Sequence, residues 1–161
     1  MLKQAYNIMK NDPINWRSRI SLTKIEYDYI SLFEPEQLKQ DKNRRQQKDF
    51  RNKIIELYKS KCIVTGYDEE ECEACHIIPV ENGGDYSPYN GLLLNRNIHK
   101  LFDKFYWTID SNTFEIKINP QIENKNLSIK NYKGIILNLP PETADYLKWH
   151  NYKEHLCIHS F

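Results

Sequence analysis

Within the stretch "CHIIPVENGGDYSPYNGLLLNRNIHKLFD", residues 75–103, four side chains are of types that do chemistry: His76, Asn90, His99 and Asp103. His99 and Asp103 are four residues apart in a segment with helical apolar spacing, so both leave one face of that helix. A histidine and a carboxylate on one helical face can grip a single divalent ion and leave positions open for water and substrate. His76 sits in a short apolar run with strand character, and an imidazole with an ordinary pKa of about 6.5 is suited to taking a proton from water near neutral pH. Asn90, in an Asn-Gly pair, is by itself a turn residue. Each residue alone has a plain structural explanation, and His99 with Asp103 could be no more than a solvated i,i+4 pair. The combination is what suggests a site.

The elements that must position these groups read as follows. "ACHIIPV" (74–80) predicts a strand with Pro79 near its end, where a missing N–H is tolerated. "ENGGDYSPY" is loop, and "NGLLL" (90–94) predicts the returning strand. Asn95 then suits the N-cap of a helix opening "RNIHKLFDKF". Upstream, "TKIEYDYISLF" (23–33) has a Thr23/Glu26 capping-box pattern, and a second helix is expected over 43–60 with Phe50, Ile54, Leu57 and Tyr58 on one face. "CIVTGY" (62–67) predicts a short strand or extended turn stopped at Gly66. Downstream, 106–119 predicts a hairpin turned at "DSN", 127–140 predicts more strand, and 141–156 predicts a last helix opened by proline. Strands and helices mixed in this way favour an α+β domain.

Composition bounds the reading. A chain of 161 residues with 40% hydrophobic and 28% charged content is that of a globular protein of one domain, or one domain with a small extension. No apolar run approaches membrane-spanning length, and "MLKQAYNIMKNDP" has no apolar core of a secretory signal, so an intracellular, cytoplasmic location is expected. A net charge of +1 argues against a protein that is basic throughout. Locally, however, residues 38–61 hold nine Lys and Arg against three Asp and Glu, a segregation that can attract phosphate. Of the cysteines, Cys62, Cys72, Cys75 and Cys157, buried free thiols are the expected state.

The same residues resemble the ββα-metal fingerprint of the HNH endonuclease family: a histidine before a hydrophobic pair and proline (His76 in "HIIP"), a central asparagine (Asn90 in "NGLLL"), and a metal-binding residue nine positions on (His99). Asp103 falls where many members carry a second helical ligand. "KCIVTG", "HIIPV", "NGLLL" and "IHKLFD" in succession, with "QQKDFRNKIIELY" upstream, resemble the restriction-type subgroup, and "YLKWHN" is similar to its tail. The resemblance implies a ββα-metal core (hairpin plus helix, about 62–106) inside an HNH nuclease domain at 43–161. Flanking N-terminal helices, extra strands and a C-terminal helix complete the expected fold, with residues 1–42 as an N-terminal helical extension. It implies metal-dependent hydrolysis of DNA phosphodiester bonds, with His76 as general base and Asn90 bracing the loop that orients it. His99 and Asp103 would hold one divalent ion, Mg²⁺ or Mn²⁺ in the first place and Zn²⁺ or Ni²⁺ as other fits, and the ends left would be 5′-phosphate and 3′-hydroxyl. Arg44, Arg45, Gln47, Lys48 and Arg51 would contact the nucleic acid, double-stranded DNA being the expected partner. A monomer that nicks and a symmetric homodimer that cuts both strands fit equally.

One position departs from the commonest pattern. Many members place an aspartate or histidine ligand immediately before the catalytic histidine, and here that residue is Cys75, a soft donor poorly matched to Mg²⁺ and better matched to Zn²⁺. This leaves the ligand set open. Two further readings stand beside the nuclease: an inactive nucleic-acid-binding module that keeps the fold, and an adaptor stabilised by zinc on Cys62, Cys72 and Cys75.

Overall fold

The computed structural model describes the backbone of residues 36–159 and the side chains of 39–155. The helix expected at 23–33 and Cys157 lie outside the described residues. The chain divides into two compact units, Met1–Gln47 and Lys48–Phe161. Within the first unit, the described residues 39–47 are mostly exposed and charged, and Arg44 pairs loosely with Asp41 at 3.9 Å. They belong to helix α1, Glu36–Leu57.

In the second unit α1 presents Phe50 and Ile54, both fully buried, at the four-residue spacing of one helical face. No glycine or proline stops this helix. It ends instead in a left-handed turn at Lys59 and Ser60 (φ 53° and 59°), where Ser60 N–H reaches back to Ile55 O at 2.9 Å and Lys59 N–H to Glu56 O at 3.2 Å. These two bonds satisfy carbonyls that the helix end would otherwise leave orphaned. The segment 62–67 is a tight turn and not a strand: Gly66 is left-handed (φ 73°), and Cys62 N–H bonds Tyr67 O at 2.8 Å.

The hairpin follows. Strand β1, Cys72–His76, pairs antiparallel with β2, Gly91–Asn95, from Cys72 opposite Asn95 to His76 opposite Gly91. β1 starts and stops earlier than the sequence suggested. The reason is Asn90, whose side-chain oxygen accepts from Ile78 N–H (2.8 Å) while its amide donates to Ile78 O (3.0 Å). A side chain thus takes the place of a strand partner at Ile78, and the ladder ends. All of β2 is buried, and Leu92, Leu93 and Leu94 alternate between the two faces of the hairpin. Complete burial of one leucine stabilises by about 1.5–3 kcal/mol. Gly91 is required by close approach: a Cβ there would come within 2.2 Å of Ile54 Cδ1 and 2.6 Å of Phe50 Cζ.

Helix α2, Arg96–Asp103, is capped as expected by the Asn95 side chain, which accepts from Asn97 N–H at 3.0 Å. It buries Ile98 and Phe102 against the hairpin. A second hairpin joins β3, Trp107–Ile109, to β4, Ile116–Ile118, and its turn is held by Asp110, which accepts from the N–H groups of Asn112 and Thr113 at 2.9 Å each. The strand expected at 127–140 does not form. Ser128–Tyr132 is a short 3₁₀ helix that drops Ile129 into the core, and only an isolated bridge, Glu115 to Ile136, remains of the pairing. Ile129, Leu137 and Leu139 pack singly from irregular backbone, whereas Ile135 and Ile136 are exposed. Helix α3, Thr143–His159, closes the described chain.

The "WHN" of α3 is structural. His150 is buried and stacks on Phe102 (centroids 3.7 Å apart, 12° between planes). Asn151 Nδ2 donates to Thr108 Oγ1 (2.8 Å), which lies 2.7 Å from His150 Nδ1, and His150 Nε2 lies 3.3 Å from Phe102 O. A carbonyl only accepts, so Nε2 carries the proton and Nδ1 accepts from the threonine. Burial pushes the His150 pKa down to about 3, with the Phe102 carbonyl opposing. The folded state therefore holds the ring neutral, while an unfolded chain takes up a proton below about pH 6.5. This contribution to stability is present in full above pH 6.5 and is lost as the pH falls from there toward 3. Between pH 7 and pH 5 we expect urea unfolding to show about 2 kcal/mol of loss from this group. The loss should be absent in His150→Gln, and parallel pH curves for the two proteins would remove His150 as its source.

Candidate metal and phosphodiester site

β1 sends its side chains to two sides with a two-residue period. Cys72 joins Phe50 and Ile54 on the α1 side, whereas Cys75 packs in the α2-side core with Ile98 and Phe102. The three cysteines once considered as zinc ligands therefore do not converge. Cys62 Sγ accepts from the N–H groups of Thr65 (3.3 Å) and Asn95 (3.2 Å), and the Cys72 thiol donates to Asp68 O (3.2 Å). Burial, first of all, pushes the Cys72 thiol up to about 11. These are packed free thiols.

On the α2 side one group of metal-ligating atoms does converge. A Cys75 sulfur, a His99 ring nitrogen and an Asp103 carboxylate oxygen lie within 4.8 Å of one another. The helix spacing brings His99 and Asp103 together as expected, and β1 adds Cys75, completely buried, with its thiol donating to His76 O at 3.4 Å. Burial holds this thiol well above its ordinary pKa, with Asp103 and Glu73 adding to the effect.

Glu73, two residues before Cys75 on the same strand side, is the participant that sequence reasoning missed. Its Oε2 lies 2.8 Å from His99 Nδ1, and its Oε1 lies 3.6 Å from Arg96 Nε. On the other edge of the imidazole, His99 Nε2 is 3.3 Å from Asp103 Oδ2. Desolvation raises the Asp103 pKa, His99 opposes, and Glu73 and Glu81 add to the rise. An ionised carboxylate only accepts hydrogen bonds, so Nδ1 facing Glu73 carries a proton. Nε2, on the opposite edge, faces the second carboxylate. A protonated ring would donate to both carboxylates, whereas a neutral one offers Nε2 as a ligand beside Asp103 and Cys75, so the donor set fits a divalent ion.

His76 leaves β1 on the other side from Cys75. Its ring stacks on Phe50 (3.9 Å, 13°) and meets the edge of Tyr86 (5.4 Å, 83°). Its Nε2 is buried and has no hydrogen-bond partner among the described residues. Burial lowers the His76 pKa, the Asp85 carboxylate opposes, and His99 lowers it further. The imidazole is thus kept neutral, as a proton acceptor must be.

Asn90 is fully buried and touches the loop, not the ring of His76. Besides clamping Ile78 it donates to Asp85 O at 2.9 Å, and its own carbonyl accepts from Ile77 N–H at 3.0 Å. Gly84 answers this clamp, because a Cβ there would fall 1.8 Å from Ile78 O. Asp85 caps its own turn through Ser87 N–H (3.1 Å) and accepts from the Tyr146 hydroxyl of α3 at 3.1 Å. Of the residues expected to contact nucleic acid, Arg44, Arg45, Gln47 and Lys48 are exposed. Arg51 is half-buried, and its guanidinium donates to Cys72 O (3.0 Å) and Glu69 O (3.1 Å), so it ties α1 to the start of β1.

Residues 62–110 match the family model HNH_2, described as HNH endonuclease. A search of curated proteins found no match to the chain. Among solved structures three chains match, including a modification-dependent TagI restriction endonuclease at 18% identity and a TM-score of 0.48. That alignment covers 65% of this chain and 37% of the other, so this chain spans well under two thirds of that enzyme's length. The matched segment contains β1, β2 and α2 together with His76, Asn90, Cys75, His99 and Asp103. Over residues 62–110, therefore, the chain is similar to the HNH endonuclease family.

Proposed function

We propose that this chain is a metal-dependent endonuclease that hydrolyses DNA phosphodiester bonds at the site formed by β1, the 77–90 loop and α2, leaving 5′-phosphate and 3′-hydroxyl ends. The observation that supports it most is the convergence of Cys75, His99 and Asp103 within 4.8 Å inside the matched domain. His99 and Asp103 would hold one divalent ion, with Cys75 as a further donor toward a thiophilic one. When bound, the ion supplies positive charge that offsets the growing charge on the phosphate and the departing 3′-oxygen. His76 would take the proton from the attacking water at Nε2, which is unpartnered but buried and so must first be opened to that water, and the Phe50 stack and Tyr86 edge hold the ring in place. Asn90 braces the loop that follows His76 by satisfying both polar backbone groups of Ile78. The exposed Arg44, Arg45, Gln47 and Lys48 would position the backbone of double-stranded DNA without reading its sequence. Incubation with supercoiled plasmid, with and without EDTA, tests the proposal: nicked or linear product only with a divalent ion supports it. Tight binding without cleavage in any ion would favour the inactive module.

The roles separate under mutation. His76→Ala should reduce the cleavage rate about 10²–10⁴-fold while leaving DNA affinity near wild type; a rate close to wild type at neutral pH would remove His76 as the base.

His99→Ala and Asp103→Ala should each move the half-maximal metal concentration upward, with partial recovery in excess ion. Cys75→Ala should keep most of its rate in Mg²⁺, since a thiol is a poor ligand for that ion. A metal dependence unmoved by either α2 variant would place the ion elsewhere.

Binding by α1 is read by salt. Arg44→Ala with Arg45→Ala should weaken affinity on all sequences alike and flatten the slope of log affinity against log salt by about one unit per lost contact. Unchanged slopes would make this a solvated helix face.

A further inference from the structure

We infer that Glu73 is a positioning residue for the metal site: its carboxylate fixes the tautomer and ring plane of His99, so that Nε2 and not Nδ1 faces Asp103. The inference rests on the metal reading given above and adds to it a residue 26 positions away from the histidine it serves. At 2.8 Å the Glu73–His99 contact is the shortest that the ring makes, and the acceptor-only carboxylate requires the proton to be on Nδ1.

In solution a neutral histidine favours the other tautomer, with the proton on Nε2. That form would turn an N–H toward the ion and offer no donor pair. Glu73 reverses the preference by accepting the Nδ1 proton, and it raises the basicity of the opposite nitrogen by induction through the ring. β1 is a suitable platform for this. Glu73 pairs with Leu94 in the ladder, so its backbone is fixed in the hairpin, and Cys75 follows on the same strand side. The one strand therefore carries both a donor for the ion and the group that aims a second donor. Arg96 Nε, at 3.6 Å from the other Glu73 oxygen, could alternatively be the reason for Glu73, as half of an exposed ion pair that merely ties α2 to β1.

Titration calorimetry with Co²⁺ on the full chain separates these roles. Glu73→Ala should weaken Co²⁺ binding about 10–100-fold. Glu73→Gln should recover most of the loss, since its side-chain oxygen still accepts from Nδ1–H. Glu73→Asp keeps the charge, falls short of the ring, and should weaken binding as the alanine does; it stands in if the alanine variant does not fold. Arg96→Ala should bind as wild type. With Zn²⁺ bound, ¹⁵N spectra of the His99 ring should show a protonated Nδ1 in wild type and Glu73→Gln, and its loss in Glu73→Ala. Wild-type affinity in Glu73→Ala and Glu73→Asp, while His99→Ala abolishes binding, would overturn the inference and leave the metal reading standing. A loss in Arg96→Ala equal to that in Glu73→Ala would overturn it in favour of the ion pair. Failure of the wild-type protein to bind any divalent ion would overturn the metal reading, and this inference with it.

Discussion

The architecture of the site depends on one buried amide. Asn90 fills the place of a strand neighbour for Ile78, accepting from its N–H and donating to its carbonyl, and with its second amide hydrogen it holds Asp85 O. Removing any buried partner of this kind costs about 1–3 kcal/mol per group left unsatisfied, so the clamp is expensive to break and cheap to keep. Several features follow from it. β1 must stop before Ile78, the chain must turn through a loop whose Gly84 has no room for a Cβ, and β2 must begin at Gly91, where α1 leaves no room for one either. The last residue of β1 is His76, and the clamp fixes the point at which the strand releases it.

Around this loop the fold builds two different environments on the two sides of one five-residue strand. The α1 side is aromatic and apolar, and there the imidazole of His76 is desolvated, stacked and neutral. The α2 side is crowded with acceptors, and there Glu73, Asp103 and the Cys75 sulfur surround a single imidazole. A base wants the first environment and a cation wants the second. Strand alternation places these two environments on opposite sides of the adjacent residues His76 and Cys75.

How much of this the sequence makes legible depends on the range of the interaction. The i,i+4 pair His99 and Asp103, the Asn95 cap and the Asp110 turn are local, and the sequence read them correctly because a few residues decide each one. The loop-bracing role assigned to Asn90 came from resemblance and not from any local rule, since an Asn-Gly pair alone says only "turn". Glu73 was illegible for the opposite reason: nothing near it in the chain signals a partner 26 residues on, and only the pairing register brings the two together. The end of α1 was misjudged because its stop is a left-handed turn on Lys59 and Ser60, residue types that carry no breaker signal. The stretch 127–140 reads as strand by composition, yet Ile129, Leu137 and Leu139 are buried one at a time from irregular backbone while Ile135 and Ile136 stay exposed.

Arg51 shows how a composition signal divides once geometry is known. Nine basic residues in 38–61 look like one phosphate-binding surface, but charge alone does not say which of them are free. Arg51 spends its fork on the carbonyls of Cys72 and Glu69, where it steadies the entry to β1. Lys61 is paired with Asp68 across the turn that follows α1. Arg44, Arg45 and Lys48 remain solvent-facing, and Arg44 has only a long contact to Asp41, which screening makes weak. The basic helix is therefore two devices in series. Its last turns carry a structural arginine that belongs to the hairpin, and its exposed middle turns carry the cations that a phosphate backbone could still claim.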